Sequence, residues 1–230
     1  MRTHLDCLPC FLTQGLRAAR LCVPEDQDLH RRLLQTWAAR LAELDISLSP
    51  PAIAGELYRD VEVMLGNGDP FQKDKETANA RVLELLPRLR EIVQRSPDPL
   101  ARALEISIIG NYIDSGVARE FPWEQELEDQ SQNLDQGVYD RFRQALETHQ
   151  EVLVLGDNAG EIALDTILVS HLQEMGCEVT YVVRGRPIIN DATLEDAHEV
   201  GMTGLCQVLS SGVDTPGTVL SRCAPEFLET

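Results

Sequence analysis

The chain has 230 residues and a formal net charge of −18, with 38 Asp and Glu against 20 Lys and Arg. That balance argues against a nucleic-acid partner, which needs a basic surface to neutralise phosphates. No run of about eighteen or more apolar residues supports a membrane span. Nor does Met1-Arg2-Thr3-His4-Leu5-Asp6-Cys7 contain the apolar stretch of a secretory leader, so the default expectation is a cytoplasmic protein.

In chain order, the first part reads as helical. Leu33, Leu34, Trp37, Leu41 and Leu44 recur at spacings of three and four, the pattern of one helix face over Leu29 to Leu44. Val82, Leu85, Leu86, Leu89 and Val93 repeat it between Glu76 and Val93, and a further apolar stretch runs from Pro99 to Ile109. Breaks at Ser49-Pro50-Pro51, Gly66-Asn67-Gly68-Asp69-Pro70 and Ser96-Pro97-Asp98-Pro99 separate these helices.

The character changes near residue 150, which predicts a helical region over 1–148 and an α/β region over 149–230. Val152-Leu153-Val154-Leu155 is a continuous apolar run, expected to form a buried parallel strand. A helix from about Gly160 to Met175 follows, then a strand at Glu178 to Val183, rich in β-branched residues. Thr193 caps another helix, and Gln207-Val208-Leu209-Ser210 is a third strand. Strands alternating with helices imply right-handed crossovers and a parallel sheet, whose ligands bind beyond the C-terminal strand ends. Three strands are few for a covered sheet, so an incomplete α/β core is expected.

Polar clusters occur at all three strand ends: Gly156-Asp157-Asn158-Ala159-Gly160-Glu161, Arg184-Gly185-Arg186-Pro187-Ile188-Ile189-Asn190-Asp191, and Ser210-Ser211-Gly212-Val213-Asp214. Asp157, Asn158 and Asp191 offer hard oxygen ligands, few enough to leave room for water and a substrate phosphate on Mg²⁺ or Mn²⁺. Zinc would recruit His or Cys, and none lies in these loops. Gly160 opens a helix whose N–H groups suit an anion. Asp-Asn between strand and helix also serves as an ordinary cap and turn, as does Asn190-Asp191 before Thr193. A second reading of Val154-Leu155-Gly156-Asp157-Asn158-Ala159-Gly160 is the turn of an S-adenosylmethionine-dependent methyltransferase, although G-x-G-x-x-G spacing is missing.

Taken together, the chain resembles the DUF89 family of metal-dependent damage-control phosphatases, specifically its short stand-alone members with an N-terminal Cys-x-x-Cys. The resemblance rests on five motifs in order: Cys7-Leu8-Pro9-Cys10-Phe11, Asp69-Pro70-Phe71 with Lys75, Gly110-Asn111-Tyr112-Ile113-Asp114, Gly156 to Glu161, and Pro187 to Thr193. It implies an α/β fold in which a mostly helical N-terminal part packs on a Rossmann-like parallel-sheet core. It also implies a metal held by Asp157, Asn158 and Asp191, and hydrolysis of small phosphate esters such as sugar phosphates or damaged phosphometabolites. Similar proteins continue into a Lys-Gly-x-x-Asn-(aromatic)-Glu motif that helps hold phosphate; none follows here before Thr230, so a non-catalytic metabolite-binding protein is a third reading.

Roles follow from residue chemistry. Asp157 and Asp191 are the ionised ligands and Asn158 a neutral one, for Mg, Mn, Co or Ni. Glu161, one turn into its helix, either orients water or acts as base, or is a first-turn carboxylate favoured by the helix dipole. Asn111 and Asp114, three apart on one helix face, join the site as the resemblance implies, or else cap a helix after Gly110. Arg184 and Arg186 are candidates for the substrate's anionic groups, and solvent exposure is the alternative for at least one. Cys7 and Cys10 are candidates for a second metal, with His4 or Cys22 as further ligands; the six cysteines otherwise read as reduced thiols. The expected partner is a small phosphorylated metabolite, and the motifs carry no signal for an oligomeric state.

Overall fold

A computed structural model describes residues 2–65, 69–110 and 134–230. Asn111 and Asp114 lie outside the described residues. The chain divides into two compact units, each assembled from separate stretches of sequence.

The first unit comprises Met1–Lys73, Arg184–Asp191 and Ser211–Thr230. Its helices are α1 (Cys7–Cys22), α2 (Gln27–Glu43) and α3 (Pro50–Leu65). Asp26 starts α2 by accepting the Leu29 N–H at 2.8 Å. The i, i+4 spacing of Leu33 and Trp37 places both in the apolar centre with Phe11, Ile53, Leu57 and Val61. Trp37 stacks edge-on to Tyr58 at 5.4 Å between ring centroids, a geometry the aromatic quadrupoles favour.

The second unit comprises Asp74–Val183 and Ala192–Ser210. It contains most of α4 (Gln72–Arg95), then α5 (Pro99–Gly110), α6 (Gln136–Thr148), β1 (Glu151–Leu155), α7 (Glu161–Glu174), β2 (Glu178–Val183), α8 (Leu194–Glu199) and β3 (Gln207–Ser210). The sheet is parallel in the order β1-β2-β3, with Val154 opposite Tyr181 and Val182 opposite Leu209. These are the three strands the sequence predicts, and the α/β class holds.

One strand differs from expectation. β1 buries a single face: Val152 and Val154 pack on the core with α5 and α7, whereas Leu153 and Leu155 are 46% and 53% exposed. Side chains alternate across a strand, and β1 is an edge, so an unbroken apolar run need not be buried on both sides. Helix α7 is the opposite case, with Ile162, Leu164, Ile167, Leu168 and Leu172 buried together with Glu161 and Asp165. Two carboxylates inside so apolar a helix mark the place where chemistry departs from packing.

Candidate active site

The loop Gly156–Gly160 carries the chain from β1 into α7. The Gly156 N–H donates to the Val182 carbonyl at 2.9 Å, extending the β1-β2 ladder by one residue. A Cβ at Gly156 would lie 2.4 Å from the Tyr181 hydroxyl, so only glycine lets the backbone pass there. At the far end Gly160 adopts φ 83°, and its N–H donates to Asn79 Oδ1 at 2.7 Å. That N–H, part of the predicted anion cradle, is therefore already engaged by a buried side chain. In the middle, the Asp157 carbonyl accepts from the Ala192 N–H at 2.7 Å, and the Asn158 carbonyl accepts from the Ile162 N–H at 3.1 Å. Backbone bonds thus set the course of the loop on both sides of Asp157 and Asn158.

Charge concentrates behind this loop. Asp157 is half-buried and accepts from Asn158 Nδ2 at 3.2 Å. Glu161 is 6% exposed, and its Oε2 has no hydrogen-bond partner among the described residues. Burial, followed by repulsion from Asp165 and Asp157, pushes the Glu161 carboxyl up to about 8 against the hydrogen bonds from Asn158. Asp165 is 1% exposed and accepts Ser107 Oγ and Tyr181 Oη, each at 2.5 Å. Burial pushes Asp165 up to about 6 in spite of those two donors.

An unpartnered buried carboxylate oxygen beside two further carboxylates is an arrangement that a hard cation relieves. Asp157 and Asn158, with the Glu161 carboxyl behind them, therefore suit a divalent ion by donor type. Among the described residues no three His, Cys, Asp or Glu side chains converge closely enough to hold a metal by themselves. A cation at the end of β1 would accordingly depend on the Asn158 amide and on water or substrate oxygens, the habit of Mg²⁺ rather than Zn²⁺.

The other candidates sit in the first unit. Asp191 is buried and accepts from Arg184 Nε at 2.6 Å, with Arg184 equally buried. The guanidinium expected to meet substrate is thus committed at Nε to the carboxylate expected to meet metal. Arg186 is exposed, on the wall of a cavity of about 120 Å³ that also holds Tyr58, Phe71, Ile188 and the Arg59–Asp214 ion pair (2.9 Å).

The second metal expected at Cys7 and Cys10 is not supported, since no third ligand converges there among the described residues. The two thiols stand one turn apart at the start of α1; Cys10 is exposed, and its Sγ lies 3.5 Å from Gln14 Nε2. The Cys22 thiol is turned to the Pro70 carbonyl at 3.5 Å.

Sequence reasoning overlooked Asn79, Asp165, Tyr181 and Ser107. Fully buried Asn79 accepts from Gly160 and donates to Glu199 at 2.6 Å, beside a buried Lys75–Asp196 pair at 2.7 Å. A signal existed for Asp165 alone: it lies four residues after Glu161, on a helix otherwise too apolar to carry idle carboxylates.

Known proteins bear on this arrangement. The protein-family model described as "Damage-control phosphatase ARMT1-like domain" matches residues 3–230. A damage-control phosphatase of Archaeoglobus fulgidus is 34% identical over 225 residues, spanning 96% of this chain and 78% of that protein. Damage-control phosphatase PH1575 of Pyrococcus horikoshii is 31% identical, over 100% of this chain and 80% of its own. The crystal structure of that DUF89 family protein matches the fold with a TM-score of 0.80 at 29% identity, covering 100% of this chain and 80% of the crystallised one. None of these relatives favours the methyltransferase reading.

Proposed function

The chain belongs to the damage-control phosphatase ARMT1-like family, and on that premise we propose that it is a metal-dependent phosphatase hydrolysing small damaged or unwanted phosphometabolites as phosphate monoesters. The observation that carries the reading is the buried Glu161 carboxyl, whose Oε2 has no hydrogen-bond partner among the described residues, set beside Asp157 and Asp165 where the chain leaves the C-terminal end of a parallel strand. Ligand sites in open α/β sheets occupy that position.

In this reading Asp157, Asn158 and Asp191 hold Mg²⁺, Mn²⁺, Co²⁺ or Ni²⁺. Bound there, a divalent cation supplies Lewis acidity toward a phosphoryl oxygen. The chain's own groups do the rest. The Arg184–Asp191 pair limits the negative charge that a phosphate dianion would meet, and Arg186 attracts the remaining anionic groups of the substrate. Glu161 holds its proton near neutral pH when no cation is present; beside a cation it loses that proton more readily, which suits a base for attacking water. The attacking oxygen forms the new P–O bond while the ester P–O bond breaks, and the leaving oxygen takes up a proton.

The test is phosphate release from a panel of phosphorylated metabolites with each of the four metals and with chelator. Turnover should require metal, and Asp157→Ala should lower kcat/KM by at least about a hundredfold. Equal turnover by Asp157→Ala, or turnover that survives chelator, overturns the assignment.

A further inference from the structure

The phenol of Tyr181 is fully buried at the centre of β2, opposite Val154 on β1. It does more than fill the core. A Cβ on Gly156 would meet Tyr181 Cε1 and Oη at 2.4 Å, so the Gly156 backbone rests directly on the ring. The ring is not free to swing, because its hydroxyl donates to Asp165 Oδ2 at 2.5 Å. Asp165 is held in turn by Ser107 Oγ at 2.5 Å on its other oxygen.

A fully buried carboxylate costs stability unless its hydrogen bonds are satisfied, and Phe with Leu would occupy the same volume without that cost. The polar pair therefore calls for a reason beyond packing. Gly156 immediately precedes Asp157, and the same loop is tethered by Ala192 N–H at the Asp157 carbonyl and by Asn79 at Gly160. Tyr181 is the support that bears on the Gly156 end of the loop, with its hydroxyl held by a buried carboxylate that Ser107 also bonds.

Resting on the reading that Asp157 and Asn158 hold a divalent cation, we infer that Tyr181, braced by Asp165 and Ser107, is a positioning residue that aims these two ligands. It touches neither metal nor substrate. It sets the course of the Gly156 peptide, from which the direction of the Asp157 side chain follows. Groups that orient ligands in this way typically change metal affinity by about 10–100-fold when altered.

The experiment measures Mn²⁺ affinity of the 230-residue protein by the electron paramagnetic resonance of free Mn²⁺, alongside amide hydrogen exchange at Gly156–Gly160 and the thermal midpoint of the metal-free protein. Tyr181→Phe should weaken Mn²⁺ binding about tenfold and speed exchange at Asp157 and Asn158. Asp165→Leu should do the same, with an apolar side chain that supports folding. Asp165→Asn retains an acceptor for the Tyr181 hydroxyl and should stay within about twofold of wild type. A Tyr181→Phe protein that binds Mn²⁺ as wild type does, with only a lower midpoint, overturns the inference and leaves Tyr181 as packing. If wild type and Asp157→Ala bind Mn²⁺ equally, the metal reading itself falls, and the inference with it.

Discussion

Glu161 and Asp165 stand one helical turn apart inside α7, and both bind their protons more tightly in the folded chain than in an unfolded one. The sign for stability follows. A raised folded pKa contributes stability that is complete below about pH 4, where both states are protonated, and that is lost as pH rises through about 6 and then about 8. The metal-free protein should therefore lose stability relative to Glu161→Gln as pH rises from about 5 to 8, since glutamine carries no charge to be desolvated. Urea midpoints of the two proteins across that range check this. A constant difference between them would mean that Glu161 is not held in an apolar, repulsive setting.

At this scale the sequence exposed the proposed ligand pair better than its supports. Asp157 and Asn158 announce themselves through a local pattern: apolar strand, glycine, polar pair, glycine, helix. Asn79 lies 81 residues from the N–H it accepts, and Lys75 121 residues from its carboxylate, so no local pattern could join them. Arg184 and Asp191, seven residues apart, were legible as two separate candidates but not as one ion pair.

Elements repeat the lesson with caps in place of ligands. Asp98 opens α5 by accepting the Ala101 N–H at 3.1 Å, and both of its oxygens also lie 2.7 Å from the Tyr139 hydroxyl on α6. Burial pushes the Asp98 carboxyl up, but the Tyr139 hydroxyl, the Ala101 N–H and Arg143 outweigh it and hold the carboxyl below its usual range. The same contact pushes the Tyr139 phenol up to about 12, after burial. Tyr139→Phe should cost about 1 kcal/mol in a urea titration, since the charged acceptor keeps its backbone partner and some access to water. Gly160→Ala belongs here too. It forces a side chain into φ 83° at the start of α7 and should cost about 1–2 kcal/mol while disturbing the Asn79 contact. The positions of α2 and α4 were legible because their 3.6-residue period is strong, and α7 was legible as a long apolar stretch between two strands. The exposed face of β1 was not, because an apolar run does not reveal which neighbours a strand will have.

On the scale of the molecule, a charge of −18 and the proposed site of oxygen donors act in the same direction. Any cation screens self-repulsion, but a divalent ion bound at Asp157 and Asn158 adds linkage of about 2.7 kcal/mol at a hundred times its dissociation constant. At matched ionic strength, Mn²⁺ or Mg²⁺ should raise the thermal midpoint of wild type more than NaCl does. Asp157→Ala should lose that excess and keep the NaCl response. An equal rise for the two proteins would trace the whole effect to screening. Among the described residues no helix is long and apolar enough to cross a membrane, in keeping with the hydropathy of the chain.

The sequence by itself determined helices α2, α4, α5, α7 and α8, the three parallel strands, the Asp157-Asn158 pair at a strand end and the family, because these depend on periodicity, turn chemistry and short motifs that survive without knowledge of distant contacts. Tertiary structure alone decided three things. It grouped Arg184–Asp191 and Ser211–Thr230 into one compact unit with the N-terminal helices. It paired Arg184 with Asp191, and it set Tyr181 and Asp165 beneath Gly156. The physical reason is common to all three: burial and charge pairing depend on which residues meet in space, and residues far apart in the chain meet only after the chain has folded.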